Sequence, residues 1–470
     1  MIVESRGERS EGLYDVAVIG GGVVGCAVAR RFTIEGARVV LLEKAPDILA
    51  GASKGNSAIL HTGFDAPEGS LELACMQAGY AEYRAIHESL NLPLLTTGAI
   101  VAAWSEHDES ELDAIVARAH ANGVDNVRRI DRAEVLAREP QLNPAVRGGV
   151  LVPDEHVIDP WSAPLAYLTQ AMANGAEVRR DCEVTGGAFD GAAWQLDTSR
   201  GRIAAAQVIN CAGLYGDVVE QRLLGEAHMQ IRPRKGQFVV FDKAAAALVD
   251  HILLPVPQLR TKGVVVTRTA YGNVLVGPTA EEQDDREHAR VDHDTLEALI
   301  AAGAERLPAL ADMPVTAVYA GLRPATEDKE YRIRHEPARH WLTLGGVRST
   351  GLTAALGIAA HAYALYREYV EHQPLASPVT PSVPNIAEHR PRDWQAAGYG
   401  EIVCHCELVT RREIEAALAS SLPPGDIGGL KRRTRACMGR CQGFYCGARV
   451  AQIAGDALAT PLSTGAAHEH

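Results

Sequence analysis

The sequence predicts an α/β protein with a Rossmann-like domain, an inserted antiparallel sheet and a small α-rich domain at the C-terminal end. Three observations predict this class. A Gly-x-Gly-x-x-Gly motif lies between two β-branched runs near residue 20, short alternating strands fill residues 229–276, and five of the nine cysteines fall between Cys404 and Cys446. We therefore expect a nucleotide-binding framework followed by a separate tail that holds a metal or a cluster.

The segment 14–44 fits a βαβ unit that binds a dinucleotide. An apolar run leads into Gly20, Gly22 and Gly25, a helical segment follows, and a second apolar run ends at Glu43. Gly20 permits a tight turn, Gly22 lets the backbone approach a pyrophosphate, and Gly25 allows close packing of helix and strand. The helix N-terminus attracts the pyrophosphate, and Glu43 can accept hydrogen bonds from ribose hydroxyls. The register of strands, helix and acid disfavours the alternative, a glycine-rich turn without a ligand.

Three further stretches could contact the same cofactor. Ser53, Asn56 and Ser57 stand in a loop of small residues, where they either line a pyrophosphate or cap the following helix. A β-branched strand ends at residues 212–213, which puts a backbone without bulk beside a cofactor. A later strand enters residues 346–353, so the next helix can direct its N-terminus at an electron-rich group such as a flavin carbonyl.

Composition narrows the functional class. Of the 470 residues, 47% are hydrophobic and 22% are charged, which is ordinary for a globular protein with a large core. The net charge of −13 argues against nucleic acid and anionic membranes as partners, because both reward a basic surface. No apolar run approaches the ~20 residues that span a bilayer, and the N-terminal residues lack the apolar core of a signal peptide. We expect a cytoplasmic protein without direct membrane insertion, peripheral to the inner membrane only through a partner.

Residues 229–276 alternate short strands with turn residues, which we place at 234–236 and 271–273. This pattern predicts an antiparallel sheet that either covers a substrate site or is a structural layer. Arg323 and Arg348 each end an apolar strand beside glycines, where a lone guanidinium is costly unless it meets an anion. A single such arginine is more often a surface or salt-bridged group, but two in similar settings favour an anion-binding pair.

Five prolines between residues 373 and 391 prevent a helix and favour an extended, semi-rigid linker. The predicted domains are therefore residues 12–372 and 400–460, with the linker at 373–399. Past the linker, Thr410 with Glu413 three residues later predicts the N-terminal cap of a helix.

The tail contains Cys404, Cys406, Cys437, Cys441 and Cys446. In a reducing compartment such clustering indicates metal or cluster ligation instead of disulfides. Four thiolates from two loops suit either zinc or a [2Fe–2S] cluster. The basic run 431–435 would offset the negative charge of an iron–sulfur cluster, which favours that interpretation, although the run could also be a solvated helix end.

These motifs carry a family resemblance over nearly the whole chain. The framework to about residue 371, with the stretches 56–64, 275–281, 320–326 and 348–351, resembles the FAD-dependent glycine/D-amino-acid oxidase superfamily, in its branch of glycerol-3-phosphate dehydrogenases and 2-hydroxyglutarate oxidases. The tail, with Cys-x-Cys and Met-Gly-x-Cys-Gln-Gly-x-x-Cys, resembles the bacterioferritin-associated-ferredoxin-like [2Fe–2S] domain, which is fused in the same order in anaerobic-type glycerol-3-phosphate dehydrogenase. The resemblance implies FAD and a [2Fe–2S] cluster as cofactors.

The resemblance also implies roles for individual residues. His61 matches a histidine beside the isoalloxazine ring, and Lys262 lies in a strand that resembles the substrate-side sheet. Cys437 stands where related tails usually have glycine, which leaves five thiols for four places and keeps a rearranged ligand set open. The implied cluster ligands are Cys404, Cys406, Cys441 and Cys446. The implied FAD-binding residues are Gly20, Gly22, Val23, Val24, Gly25, Glu43, Lys44, Ser53, Asn56, Ser57, Ala212, Gly213, Gly346, Val347, Ser349, Thr350, Gly351, Leu352 and Thr353.

We therefore expect a FAD-dependent dehydrogenase of a small anionic alcohol, with glycerol 3-phosphate or a similar polyol phosphate as the first candidate. His61 would take the hydroxyl proton or orient the substrate, and Arg323 and Arg348 would bind a phosphate or carboxylate. Electrons would leave through the cluster to a partner subunit or a quinone-linked acceptor, because a fused cluster has little use if dioxygen reoxidises the flavin. Two alternatives stay open: a 2-hydroxy-acid or amine dehydrogenase on the same framework, and a non-catalytic electron-transfer subunit.

Overall fold

The computed structural model describes residues 12–257 and 263–460. Its strands are β1 (Leu13–Ile19), β2 (Val39–Leu42), β3 (Ile59–Leu60), β4 (Leu94–Leu95), β5 (Ala99–Ala103), β6 (Arg128–Asp131), β7 (Gly148–Val152), β8 (His156–Ile158), β9 (Glu177–Arg179), β10 (Val184–Phe189), β11 (Trp194–Thr198), β12 (Gly201–Asn210), β13 (Ile231–Phe241), β14 (Ile252–Pro255), β15 (Val265–Arg268), β16 (Val274–Gly277), β17 (Glu281–Glu282), β18 (Val315–Thr326), β19 (Arg332–Glu336), β20 (Trp341–Gly345), β21 (Ile402–Cys404) and β22 (Val409–Thr410). Its α-helices are α1 (Val23–Ile34), α2 (Leu71–Ile86), α3 (Glu106–Ala121), α4 (Arg132–Arg138), α5 (Ser162–Ala173), α6 (Gly216–Leu224), α7 (His293–Arg306), α8 (Gly351–Tyr366), α9 (Arg411–Leu418), α10 (Ile427–Thr434) and α11 (Gly447–Ala454).

The predicted α/β class is confirmed by the first large sheet, which has eight strands. Its main path runs β10-β11-β12-β1-β2-β9, with β20 beside β12 and β19 beside β20. β1 pairs in parallel with both β2 and β12, and α1 connects β1 to β2 as the glycine motif predicts. Helices α1, α5 and α8 bury their apolar residues against this sheet, and the ring of Phe32 on α1 meets Tyr363 on α8 with centroids 5.2 Å apart. This packing fixes the start of α1, where the glycine motif lies.

The second large sheet has nine strands and is almost entirely antiparallel. Its longest pairing joins β13 to β18, from Ile231 opposite Thr326 to Phe241 opposite Val315. The sheet extends further than the predicted insertion, because β5, β6 and β7 join it and β5 pairs in parallel with β14. The sequence pattern of residues 229–276 could not reveal these partners, since they come from a distant part of the chain.

The prediction of a turn at residues 234–236 is wrong, because these residues lie inside β13. Packing requires a glycine at position 236. A Cβ atom at Gly236 would lie 2.7 Å from Nη2 of Arg323, so the glycine leaves room for the guanidinium on the neighbouring strand. The second predicted turn, at 271–273, is present, and Gly272 has the positive φ of +80° that a turn glycine accommodates.

The proline-rich segment 373–399 contains no α-helix or strand, as its prolines dictate. It nevertheless follows the surface of the α/β framework closely. The backbone N–H of Leu375 donates to the carbonyl of Ile34 (2.9 Å), and that of Glu388 donates to the carbonyl of Ala270 (2.9 Å). The segment is thus anchored along its length, and the domain boundaries drawn around it stay a prediction.

The tail is a small unit with its own core. A two-stranded ladder of β21 and β22 packs with α9, α10 and α11 around Ile414, Leu430 and Val450. Thr410 accepts a hydrogen bond from the N–H of Glu413, whose carboxylate accepts from the N–H of Thr410, so the predicted capping box is present. In the part of the chain that the structure describes, no helix is both long enough and apolar enough to cross a bilayer.

The basic run 431–435 fastens the tail to the framework. Arg433 donates two hydrogen bonds to the carboxylate of Asp47, at 2.6 and 2.9 Å, and both side chains are buried. Arg435 lies 4.1 Å over the ring of Tyr271 and pairs with Glu407 (2.8 Å). The run is therefore not a solvated helix end, because its arginines make the contact between the two units. The charge of Lys431 acts on the thiol of Cys437, so its predicted role as a counter-charge stays a prediction.

Replacing Asp47 with asparagine should loosen the tail. The change leaves the buried guanidinium of Arg433 without its counter-charge, which costs about 3–5 kcal/mol in such settings. Limited trypsin digestion of the full chain should then release the C-terminal fragment faster than in the wild type. Glu415→Gln is the matched control, since Glu415 pairs with Arg411 on the exposed side of α9 and should change stability by less than about 1 kcal/mol. Equal digestion rates for Asp47→Asn and the wild type would show that this ion pair does not secure the tail.

Candidate active site and cluster site

A large cavity of about 1510 Å³ is lined by residues of both large sheets. It extends from the glycine motif at the end of β1 to β18 of the second sheet. Its size suits a dinucleotide with room for a small substrate.

The glycine motif forms a cradle at one end of this cavity. Gly20 has a φ of +110°, and a Cβ there would lie 2.6 Å from the carbonyl oxygen of Cys211. A larger residue at this position would therefore clash with the chain directly after β12. A Cβ at Gly25 would overlap the carbonyl oxygen of Gly20. Because glycine has no Cβ, α1 can pack directly against the turn. Ser53 accepts a hydrogen bond from the N–H of Val23 in the first turn of α1 (3.0 Å). These small residues and the helix N-terminus fit the pyrophosphate of FAD.

Glu43 braces the cradle. Its Oε2 accepts from the N–H of Gly21 (2.6 Å) and its Oε1 from the N–H of Ala45 (2.8 Å). Burial raises the pKa of the carboxyl group, and the two backbone N–H groups oppose that shift. Each carboxylate oxygen keeps a further lone pair with which to meet a ribose hydroxyl.

Most predicted FAD-binding residues share this cavity. Gly25 and Thr353 are the exceptions: Gly25 packs against Gly20, and the Thr353 hydroxyl accepts from the N–H of His61 (3.0 Å). The alternative role of the 53–57 loop, a cap for the following helix, is wrong, because Ser70 caps α2. The predicted residues on the cavity wall are Gly20, Gly22, Val23, Val24, Glu43, Lys44, Ser53, Asn56, Ser57, Ala212, Gly213, Gly346, Val347, Ser349, Thr350, Gly351 and Leu352.

His61 lines the same cavity and is held by a buried carboxylate. Its Nδ1 lies 2.7 Å from Oε2 of Glu155, which is fully buried and also accepts from the N–H (2.6 Å) and hydroxyl (2.9 Å) of Thr62. Because the Glu155 carboxylate accepts, we assign the proton to Nδ1, which makes Nε2 the basic nitrogen of the ring. The sequence does not predict Glu155 as a site residue; the only local signal for it is an acid that follows the buried strand β7.

Arg323 and Arg348 also lie on the cavity wall, and a third arginine joins them. Arg323 donates to the carbonyl of Thr279 through both Nη atoms (3.2 Å each), and Arg348 donates to the carbonyl of Lys329 (2.7 Å). Within the described residues, neither guanidinium forms an ion pair with a carboxylate. Burial lowers the pKa of Arg323 to about 10, and the nearby charges of Arg234 and Arg348 act in the same direction. A buried guanidinium group without an ion pair is stabilised when it binds an anion.

The third arginine is Arg234, which the sequence pattern places in a turn and so does not mark as a site residue. It lines the cavity, and its Nε donates to Glu282 (2.7 Å), so its charge is partly balanced. Lys262, the remaining predicted catalytic residue, lies outside the described residues.

The five tail cysteines lie together, Cys404 at the end of β21 and the others in the segments that follow β21 and α10. The thiols of Cys406 and Cys441 are in contact, and Cys446 contacts both Cys404 and Cys437. Backbone N–H groups point at the sulfurs, and those of Tyr445, Gly443 and Phe444 lower the pKa of Cys441. Convergent thiols surrounded by N–H donors suit an iron–sulfur cluster, whose sulfurs are stabilised by such bonds.

The described residues contain no group of three or more His, Cys, Asp or Glu side chains arranged around a single metal ion. The thiols are instead grouped around two points, one at Cys406 and Cys441 and the other at Cys446.

Comparison with known families identifies both units. Residues 15–365 match the model of FAD dependent oxidoreductases (DAO), and residues 402–455 match the BFD-like [2Fe-2S] binding domain. The chain belongs to the FAD-dependent oxidoreductase family, and its cofactors are FAD and a [2Fe–2S] cluster. This confirms the predicted family, enzyme class and cofactors.

Several named proteins resemble the chain. A glycerol 3-phosphate dehydrogenase of Caloramator mitchellensis is 28% identical over 94% of each chain, and a subunit of the anaerobic glycerol-3-phosphate dehydrogenase of Escherichia coli K12 is 25% identical over 93% of this chain and 87% of its own. An L-2-hydroxyglutarate dehydrogenase of Salmonella houtenae is 30% identical over 63% of this chain and 71% of its own. The FAD-bound, dithionite-reduced L-alpha-glycerophosphate oxidase of Mycoplasma pneumoniae superposes with a TM-score of 0.74 at 25% identity, over 79% of this chain and 98% of that chain.

Proposed function

We propose that this protein is a glycerol 3-phosphate dehydrogenase, or a dehydrogenase of a similar polyol phosphate, that passes electrons through its [2Fe–2S] cluster to a partner. The observation that carries the proposal is the pair Arg323 and Arg348, which face the cavity and form no ion pair with a carboxylate of the described chain. The names of the relatives that span nearly the whole chain agree with this substrate.

The substrate-binding arginines favour a doubly charged anion. Arg234, Arg323 and Arg348 are close enough for their charges to act on one another. Glu282 pairs with Arg234, and the charge of Glu72 acts on Arg348, so Arg323 is the least balanced of the three within the described residues. A phosphate carries up to two negative charges and several acceptor oxygens, so it can meet two guanidinium groups at once. A carboxylate offers one charge and two oxygens.

Each polar residue then has one task in the reaction. FAD, when bound, accepts the hydride that leaves the carbinol carbon, and the cluster carries electrons onward singly. His61 takes the hydroxyl proton at Nε2 while Glu155 holds its Nδ1 proton and fixes the ring. Arg323 and Arg348 bind the phosphate and so align the carbinol with His61. The product is the corresponding ketone.

Oxidation of a 2-hydroxy acid is the second candidate. Arg323 and Arg348 can bind a carboxylate through the same N–H groups, and the relative from Salmonella houtenae bears the name of such an enzyme. The two candidates differ in the anion and share the carbinol chemistry.

Electron transfer to a partner protein is supported by two features. Phe444 and Tyr445 follow the proposed ligand Cys441 and are 83% and 78% exposed, which is unusual for large aromatic side chains and typical of protein interfaces. The relative from Escherichia coli is named as one subunit of its enzyme. A partner that binds at this loop would stand next to the cluster and could also bring the protein to a membrane.

An anaerobic titration tests the proposed substrate. The purified holoenzyme is mixed under argon with glycerol 3-phosphate, 2-hydroxyglutarate, glycerol or an amino acid, and the loss of FAD absorbance is followed. We expect bleaching with glycerol 3-phosphate at the lowest concentration and none with glycerol, which lacks the anion. Preferential bleaching by 2-hydroxyglutarate would support the second candidate. A FAD-loaded enzyme that none of these compounds bleaches would contradict both.

A further inference from the structure

The fifth thiol of the tail lies inside the cluster site. Cys437 is buried, and its Sγ lies 3.5 Å from the Sγ of Cys446. Its backbone N–H donates to the sulfurs of both Cys404 and Cys446. Cys437 therefore shares the immediate surroundings of Cys446, and it is also near enough to Cys404 and Cys441 for their charges to act on it.

The backbone around Cys437 is arranged to hold the thiol there. Its φ is +63°, in the left-handed region that is unfavourable for a non-glycine residue. Gly443, with a φ of +90°, faces it, and a Cβ at Gly443 would lie 3.3 Å from the Cys437 Sγ and 3.1 Å from its Cβ. A glycine thus makes the space that the side chain of Cys437 occupies. A left-handed position would ordinarily favour glycine at residue 437 itself, so the thiol is kept against a backbone cost.

We propose that Cys437 and Cys446 are interchangeable ligands for one place on the [2Fe–2S] cluster. This inference rests on the proposed ligand set. When Cys437 takes the place, its bond to iron forms as the bond from Cys446 breaks, and its proton passes across the 3.5 Å to the Cys446 thiolate. No electron is gained or lost. The remaining places are assigned to Cys404, Cys406 and Cys441, because the direct thiol contact of Cys437 is with Cys446.

Cysteine variants of the full-length protein, purified anaerobically, test the exchange. The variants are Cys437→Gly, Cys446→Ala, the double variant and Cys404→Ala, and the measurements are iron and acid-labile sulfide per chain. Cys437→Gly and Cys446→Ala should each keep more than about half of the wild-type iron, whereas the double variant and Cys404→Ala should keep less than about a tenth. The reduced Cys446→Ala protein should also show shifted EPR g-values, because the substitute sulfur receives different N–H bonds.

Three outcomes would overturn the exchange. The first is that Cys446→Ala loses as much iron as Cys404→Ala, the second is that the single variant Cys437→Gly loses its iron, and the third is that the double variant keeps its iron. FAD content and elution volume report whether each variant is folded. If the wild type itself contains neither iron nor sulfide, the proposed electron route fails, and that result is distinct from failure of the exchange.

Discussion

Replacing Arg323 with methionine should lower kcat/KM for glycerol 3-phosphate by about 10³-fold. The variant loses a guanidinium that can donate two charge-assisted hydrogen bonds to one anion. Each bond to a charged group contributes about 1.5–3 kcal/mol, and about 1.4 kcal/mol is a factor of ten in rate. Flavin reduction followed by anaerobic stopped-flow absorbance measures the effect directly, without an electron acceptor.

Two companion variants make this result specific. Arg323→Lys keeps the charge but loses the planar fork, so we expect an intermediate loss of about 10- to 100-fold. Arg232→Gln changes an exposed arginine on the same sheet, in β13, and should stay within about twofold of the wild type. The FAD content must be unchanged in all three. If Arg323→Met reduces its flavin as fast as the wild type at the same low substrate concentration, the arginine pair does not bind the substrate.

Replacing His61 with alanine should slow flavin reduction at saturating substrate by about 10²–10⁴-fold, the usual contribution of a general base. The effect should fall on kcat with little change in KM, because the arginines still bind the anion. Added imidazole should restore part of the rate. A comparably large rise in KM, with no recovery of the rate when imidazole is added, would assign His61 to substrate binding instead of proton removal.

Glu155→Gln tests the partner of His61. The amide can donate a hydrogen bond to Nδ1 and so favour the tautomer that carries its proton on Nε2, which cannot act as a base. We expect a loss of about 10- to 100-fold in kcat and a changed pH profile, with FAD content retained. Asp154→Asn is the matched control, because it neutralises the adjacent carboxylate, which accepts from the exposed amide of Asn126 (2.9 Å). Equal losses in the two variants would show that the effect is not specific to the contact with His61.

The sequence predicted those features that short stretches of chain encode. The glycine motif, α1 and Glu43 follow from local spacing, and the capping box at Thr410 lies within four residues. Glu155 could not be foreseen because it reaches His61 across 94 residues, and Asp47 meets Arg433 across 386. Such pairs depend on how the sheets assemble, which one sequence does not display.

Gly236 illustrates a different limit. A glycine between polar residues is most often part of a turn, and the sequence pattern favours that interpretation. In the structure this glycine serves close packing against Arg323 within a continuous strand. Glycine is common both in turns and at close contacts between strands, so the sequence pattern does not distinguish the two. For this reason the pattern places Arg234, two residues before Gly236, in a turn and does not predict it as part of the anion site.

The contact at Asp47 connects the tail to the loop beside the FAD cavity. Asp47 lies in the loop between Glu43 and Ser53, and in the same loop the N–H of Leu49 donates to the carbonyl of Gly21 in the glycine motif (3.0 Å). When the tail is bound to Asp47, it therefore stabilises the loop that forms one wall of the FAD cavity. Because thermodynamic linkage is reciprocal, occupancy of either cofactor should strengthen the binding of the other. Loss of iron from the tail would then weaken the binding of flavin in the framework.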